Sequence, residues 1–256
     1  MTRLIEEMTW QDSQKAIPKA PFVFLPIGST EQHGPHMPLG TDNFTAVEEC
    51  KRCAELVDGL VLPCINYGQI WSHNDFYGDV WLSPNTLKQM VKEICIRLKD
   101  FGAQNIVLIS GHGGNVGVLK DAARELYDEQ DMHNIYYFCL YRCMEYSEDL
   151  RQSPVFNKSS FIHAEEIETS MMLSIRPDLI HLDRAVPSYP EVPVYYSCSA
   201  VKWSEFNSIG SFGDPRKATA ENGRIILERM CRGIADKLLE CVEAKRKEKM
   251  AEKEQI

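Results

Sequence analysis

The sequence predicts an α/β fold built on a mostly parallel sheet, and two observations carry that prediction. Short apolar runs rich in β-branched and aromatic residues alternate with longer helical patterns, the rhythm of βαβ units. The 256 residues also contain no internal repeat and no low-complexity linker, a length that suits one α/β domain or two small ones.

The elements follow in order. Residues 21–27 read as a first buried strand, residues 43–57 as a helix, and the run around Leu60 to Pro63 as a second strand. Ser83-Pro84 is a helix start, with Ser as N-cap and Pro at the first helical position. Leu87, Met90, Val91, Ile94, Leu98 and Phe101 then recur at helical spacing, and Gly102 ends that helix. Residues 105–109 form the clearest strand and run into Ser110-Gly111-His112-Gly113-Gly114-Asn115, with a helix from about 116 to 128. A strand at 135–140, a helix beginning near Glu165, a loop-rich stretch over 181–216 and a long final helix from Thr219 complete the chain. The charged residues from Lys245 to Lys253 read as a solvated, fraying end.

Composition narrows the function. With 28 basic and 37 acidic residues the net charge is −9, which argues against nucleic acid or an anionic membrane as partner. No apolar run reaches the roughly 20 residues of a membrane helix, and the N-terminus lacks a secretory core. Nine scattered cysteines point to reduced thiols in a cytoplasm. Cys50 and Cys53 have redox or zinc spacing, but they sit within a helical pattern and no second pair faces them.

Chemistry collects in three places. Residues 28–42 follow the first strand, on the side where open α/β sheets build their sites. If the chain stays extended there, Glu31 and His33 point to one face; with His36 and Asp42 they offer a mixed N/O ligand set that suits Zn²⁺, Mn²⁺ or a similar ion. A polar loop with local hydrogen bonds is the plainer alternative. In Ser110–Asn115, glycines let the backbone approach a ligand, and His112 offers a ligand or a base. A dinucleotide fingerprint fails there because its last glycine position is Val116; a lipase-type loop fails for want of a Gly-x-Ser-x-Gly nucleophile. The third cluster is His163-Ala-Glu-Glu-Ile-Glu168-Thr-Ser. A helix N-terminus accounts for Glu165 and Glu166, but less well for Glu168, which adjoins an apolar run and needs a partner such as a metal.

Together and in this order, Glu31-x-His33-Gly-x-His36, Thr41-Asp42, Gly111-His112-Gly-Gly-Asn115 and His163-Ala-x-x-x-Glu168 resemble the creatininase (creatinine amidohydrolase) family over most of the chain. The resemblance implies a three-layer α/β/α sandwich, one catalytic domain over 1–256 with a charged tail from about 244, and a homohexamer. It implies two divalent ions, of Zn, Mn or Fe. Glu31 and His112 would bind one, His33 the other, Asp42 would bridge them, and Glu168 would supply the remaining carboxylate. The carboxylate that creatininases carry two residues after His112 is Gly114 here, and their mobile Trp is Ser159; both departures argue against creatinine as substrate. Residues 68–79 are similar to a substrate-side loop, so His73 is expected at the cleft beside Gly113, Gly114 and Asn115.

The expected reaction is hydrolysis of a small molecule, at a non-peptide and in some cases cyclic amide C–N bond, by a water that two cations activate. His163 is the candidate general acid, and His36 orients a ligand or the substrate from behind. The alternatives are C–C cleavage that opens a keto-inositol or related sugar ketone, and a metal-binding protein without catalysis.

Overall fold

The computed structural model describes residues 2–156 and 163–254. After helix α1 (Trp10–Ala16), four strands form one sheet: β1 (Val23–Ile27), β2 (Leu60–Val61), β3 (Ile106–Ser110) and β4 (Ile135–Cys139). Their order is β2-β1-β3-β4 and every pairing is parallel. Val23 stands opposite Leu60 on one side and Ile106 on the other, while Ile27 meets Ser110 and Ser110 meets Cys139. All residues of β1 and β3 are buried, as central parallel strands covered on both faces must be.

Side-chain alternation along these strands creates the layers. Phe24, Val107 and Ile109 pack with α2 (Thr41–Val57), α5 (Glu166–Ile175) and α6 (Ala220–Glu254) on one face. Val23, Leu25, Ile27, Ile106 and Leu108 pack with α3 (Pro84–Asp100) and α4 (Val116–Gln130) on the other. The result is the expected α/β/α sandwich. The Ser83 hydroxyl accepts from Thr86 N (3.2 Å) and caps α3 ahead of Pro84.

The differences from the sequence reading have local causes. The second strand is short, Leu60–Val61, with Leu60 N and Leu62 N donating to Phe22 O and Phe24 O of the neighbouring segment, and Pro63 follows on the outer side, where a missing N–H is tolerated. The helix expected from 43 begins at Thr41, which brings Asp42 into its first turn, where the macrodipole favours a carboxylate. The charged tail is helical as far as Glu254; Lys245 is half-buried and donates to Asn134 Oδ1 (3.0 Å), Arg246 to Glu248 are exposed, and Glu243 faces Arg246 and Lys247 at 3.6 and 3.7 Å. Cys50 and Cys53 are free thiols in the core. Residues 181–216 hold only short 3₁₀ turns, among them Trp203–Glu205. No helix among the described residues is long and apolar enough to cross a membrane.

Candidate metal centre

The C-terminal ends of β1 and β3 deliver the first ligand candidates. Beyond β1 the chain forms a tight loop, closed by Glu31 N donating to Leu39 O (2.9 Å), and re-enters as α2. Glu31 and His33 come from this loop, Asp42 from the first turn of α2, and His112 from the residues after β3. His163 and Glu168 come from the start of α5, and His73 from a short turn at Trp71–His73.

These side chains converge. His33 Nε2 lies 3.1 Å from Asp42 Oδ1 and 3.8 Å from Glu168 Oε2. His112 Nδ1 lies 3.0 Å from Glu31 Oε2 and 3.2 Å from Asp42 Oδ2. His73 Nε2 and His163 Nδ1 approach Glu31 Oε1 at 3.5 and 3.7 Å. Three overlapping groups could each hold an ion: Glu31/His73/His112, His33/Asp42/Glu168 and Glu31/His33/His163.

The orientation of the rings suits cation binding. Nε2 of His112 lies 2.8 Å from the Gln69 carbonyl and Nδ1 of His33 lies 3.2 Å from the Glu31 carbonyl, so each ring donates that N–H to backbone. The other nitrogen faces the carboxylates, and once its proton is displaced it would offer a lone pair to a cation, the usual state of a ligating histidine. Glu31 Oε1 and His33 Nε2 are buried without hydrogen-bond partners. The Ser29 hydroxyl lies 2.6 Å from both Glu31 Oε2 and Asp42 Oδ2, yet one hydroxyl hydrogen can satisfy only one of them. The second short contact calls for a further positive charge. This donor set fits divalent metal of the Zn or Mn type.

Electrostatics agree. Burial disfavours the charged form of His33, but the carboxylates of Asp42 and Glu168 outweigh it and push its pKa well up. His112 is raised in the same way by Glu31 and Asp42. Burial alone would raise Asp42, and the two imidazoles instead hold it far below the usual carboxylate range. His163 is driven well below its ordinary value by burial and by His33 and His73. Its Nε2 lies 2.9 Å from both the carbonyl and the side-chain amide of Gln32, so Nδ1 is the nitrogen that faces the cluster.

The remaining residues frame the centre. Burial, together with the charge on His33, lowers His36 to about 4. Its Nε2 meets Thr169 Oγ1 (3.0 Å), so it stands behind the cluster rather than in it. Glu165 caps α5 by accepting from Ile167 N (2.8 Å), and Glu166 accepts from Gln152 N and Ser153 N; both are structural, whereas Glu168 turns to the cluster. A Cβ at Gly111 would fall 2.2 Å from Asp42 O, and one at Gly114 2.4 Å from His112 Nε2. Both glycines are therefore dictated by close approach. Gly113 opens the short turn that follows His112. Asn115 commits both amide hydrogens, to Gly28 O (3.0 Å) and Ser110 Oγ (3.2 Å), and accepts from Gln69 N (2.9 Å). It ties the loops together instead of reaching a cleft. Ser159 lies outside the described residues.

Sequence reasoning missed Ser29, Asp79 and Trp203. Ser29 stood within the first cluster, and only folding reveals that it touches two carboxylates. Asp79 Oδ1 accepts from Gln32 N (2.6 Å) and Oδ2 lies 3.7 Å from His73 Nδ1. Trp203 stacks on His73, with ring centroids 4.5 Å apart, and no local sequence signal marks it.

Comparison with known proteins places this geometry. The family model described as creatininase, creatinine amidohydrolase, matches residues 6–238. The chain belongs to the creatininase family. It is 30% identical to a creatinine amidohydrolase of Pseudomonas putida over 92% of this chain and 96% of that one. It is 33% identical to a mycofactocin precursor peptide peptidase of Mycolicibacterium smegmatis over 85% of this chain and 84% of that one. A solved mutant creatininase of a zinc–zinc type aligns with TM-score 0.80 and 29% identity, covering 94% of this chain and 98% of the other. The chain is thus a creatininase-family hydrolase.

Proposed function

We propose that the chain is a dinuclear, metal-dependent hydrolase of a small molecule that cleaves a non-peptide amide C–N bond. One observation carries this reading: the two oxygens of Asp42 face different histidines, His33 at 3.1 Å and His112 at 3.2 Å. A carboxylate so placed would serve two cations at once, with Glu31 and His112 as further ligands of one and His33 and Glu168 of the other. Relatives named as an amidohydrolase and as a peptide peptidase both break amide bonds, which supports the reaction type. When bound, the cations supply Lewis acidity and a nucleophile at neutral pH by lowering the pKa of water.

The chain's own groups do the rest. His163, whose Nδ1 faces the cluster, is the general acid that gives the leaving nitrogen the proton lost by the water. Water oxygen bonds to the carbonyl carbon as the C–N bond breaks, leaving a carboxylate and an amine. Gly114 lets Gln69 O and His112 Nε2 pack closely against the turn after β3, and His36, through Thr169, keeps the start of α5 in place. The unit spans the chain up to a charged tail from about residue 244, works in the cytoplasm and assembles as a homohexamer.

The test pairs activity with metal content. The metal-loaded protein is offered formamides, cyclic amides and keto-inositols, and Asp42→Asn is assayed beside it. The variant should lose both activity and metal while keeping its fold. Two metals per chain and near-wild-type turnover in Asp42→Asn would sink the assignment.

A further inference from the structure

We propose that His73 is a further ligand of the cation held by Glu31 and His112, and that Asp79 is the positioning residue that turns its ring to that role. This rests on the metal-dependent reading above and deepens it, since neither residue belongs to the ligand set argued there. Three polar atoms in one run of contacts are buried without a hydrogen-bond partner: Asp79 Oδ2, His73 Nδ1 and Glu31 Oε1. Asp79 Oδ2 lies 3.7 Å from His73 Nδ1, and His73 Nε2 lies 3.5 Å from Glu31 Oε1.

The chemistry of these atoms decides which nitrogen is free. A carboxylate only accepts, so Asp79 pairs with the ring where Nδ1 carries the proton. Nε2 then turns a lone pair towards Glu31 Oε1, which is also an acceptor. Two acceptors facing each other in the interior call for a cation between them. An imidazolium donating to both carboxylates would instead draw them to about 2.7–2.9 Å, and both stand well outside that range.

The spacing suits a shared ion. Donor atoms about 2.0–2.1 Å from a tetrahedral zinc stand roughly 3.3 Å apart. His73 Nε2 keeps that spacing from Glu31, as His112 Nδ1 does from Asp42 at 3.2 Å, and Glu31, His73 and His112 each offer an atom within 4.8 Å of the others. His163 also faces Glu31 Oε1, at 3.7 Å, but it groups with His33 rather than His112. Both new residues are held in place. Trp203 stacks on the His73 ring with centroids 4.5 Å apart, and fully buried Phe212 backs the indole edge-on at 4.8 Å. Asp79 Oδ1 accepts from Gln32 N (2.6 Å), which aims Oδ2 at His73. A carboxylate behind a ligating imidazole is the usual support for such a ring.

The probes are zinc and cobalt, added to the full chain after a chelator has stripped it. In the cobalt-loaded protein, the remaining ring N–H of each ligating imidazole gives a strongly shifted, solvent-exchangeable proton resonance. His33, His73 and His112 should each give one, and His73→Ala should lose one and keep the rest. Asp79→Asn is the stricter variant because it preserves shape. Its amide oxygen must still accept from Gln32 N, so its NH₂ faces His73 Nδ1 and shifts the ring proton to Nε2, where it blocks ligation. In chelator competition Asp79→Asn should weaken one zinc roughly 10- to 100-fold, and His73→Ala at least as much, with the other zinc little changed. Tyr77→Ala, at a fully exposed side chain of the same segment, should keep both zincs at wild-type affinity. Cobalt resonances that survive unchanged in His73→Ala, or wild-type zinc affinity in that variant, overturn the ligand, and amide hydrolysis that persists there leaves the hydrolase reading standing. A His73 resonance in a chain that hydrolyses no amide upholds the ligand and removes the hydrolase reading. Wild-type zinc affinity in Asp79→Asn overturns the positioning role.

Discussion

The ring of His112 is held by a carbonyl that another side chain fixes: its Nε2 lies 2.8 Å from Gln69 O, and Gln69 N donates to Asn115 Oδ1 at 2.9 Å. The loop after β1 is tied to the same amide through Gly28 O. Asn115→Ala removes this tie and leaves buried backbone groups unpaired, at a cost of about 1–3 kcal/mol. Outer partners of ligating histidines typically contribute about 10- to 100-fold in metal affinity. A folded Asn115→Ala should therefore bind zinc at least tenfold more weakly in a chelator competition. Unchanged affinity with a lowered melting temperature would reduce Asn115 to a fold-stabilising residue.

Zinc binding should release protons. His33 and His112 are pushed well above 6.5 in the metal-free centre, so both carry protons at neutral pH. A cation must displace them, and its apparent affinity should climb as pH rises. The sign for stability runs the other way. Raised imidazoles stabilise the metal-free fold fully below pH 6.5, and that contribution is lost as pH rises through the folded values. Calorimetry in two buffers of different ionisation enthalpy should show net proton release near pH 7. Buffer-independent heats would contradict the proposed ligand set.

The sheet and its helices were legible because βαβ alternation is a local pattern, and Pro63 and Gly102 punctuate it. Residues of the centre were legible where they cluster in sequence, as Glu31, His33 and Asp42 do. Asp79 and Trp203 were not, because their meaning is purely spatial. Asp79 supports Gln32 across 47 positions, and Trp203 reaches His73 from a loop without periodic pattern. The pairing of individual histidine nitrogens with Asp42 oxygens likewise depends on the carbonyls that orient the rings.

Glu49 gives a pH effect away from the ligands. It lies on the buried face of α2, two turns beyond Asp42, and its Oε1 has no hydrogen-bond partner. Burial raises its pKa to about 8. The group is thus neutral in the fold, and the associated stability is fully present below about pH 4.5 and lost as pH rises towards 8. Glu49→Gln should remove that loss, on the order of a few kcal/mol by pH 9. Urea titrations from pH 5 to 9 should be flatter for the variant, and parallel curves would show that Glu49 ionises without cost.

Ala164 carries the backbone that aims His163. It has φ 52°, a left-handed conformation that costs a residue with a Cβ about 1–2 kcal/mol, and it is fully buried beside Met37 and Met172. Two contacts hold it there: Ala164 N donates to Glu168 Oε2 (2.5 Å), and Phe212 N donates to His163 O (2.9 Å). Ala164→Gly relieves the torsion but gives up the buried methyl and loosens the unfolded chain, so its stability should stay within about 1 kcal/mol of wild type. Ala164→Val cannot take the torsion or the space, and should lose several times that amount. If the torsion sets His163, the glycine variant should keep its activity, and the valine variant should lose kcat even where it remains folded. A fully active valine variant would show that His163 is aimed by Gln32 alone.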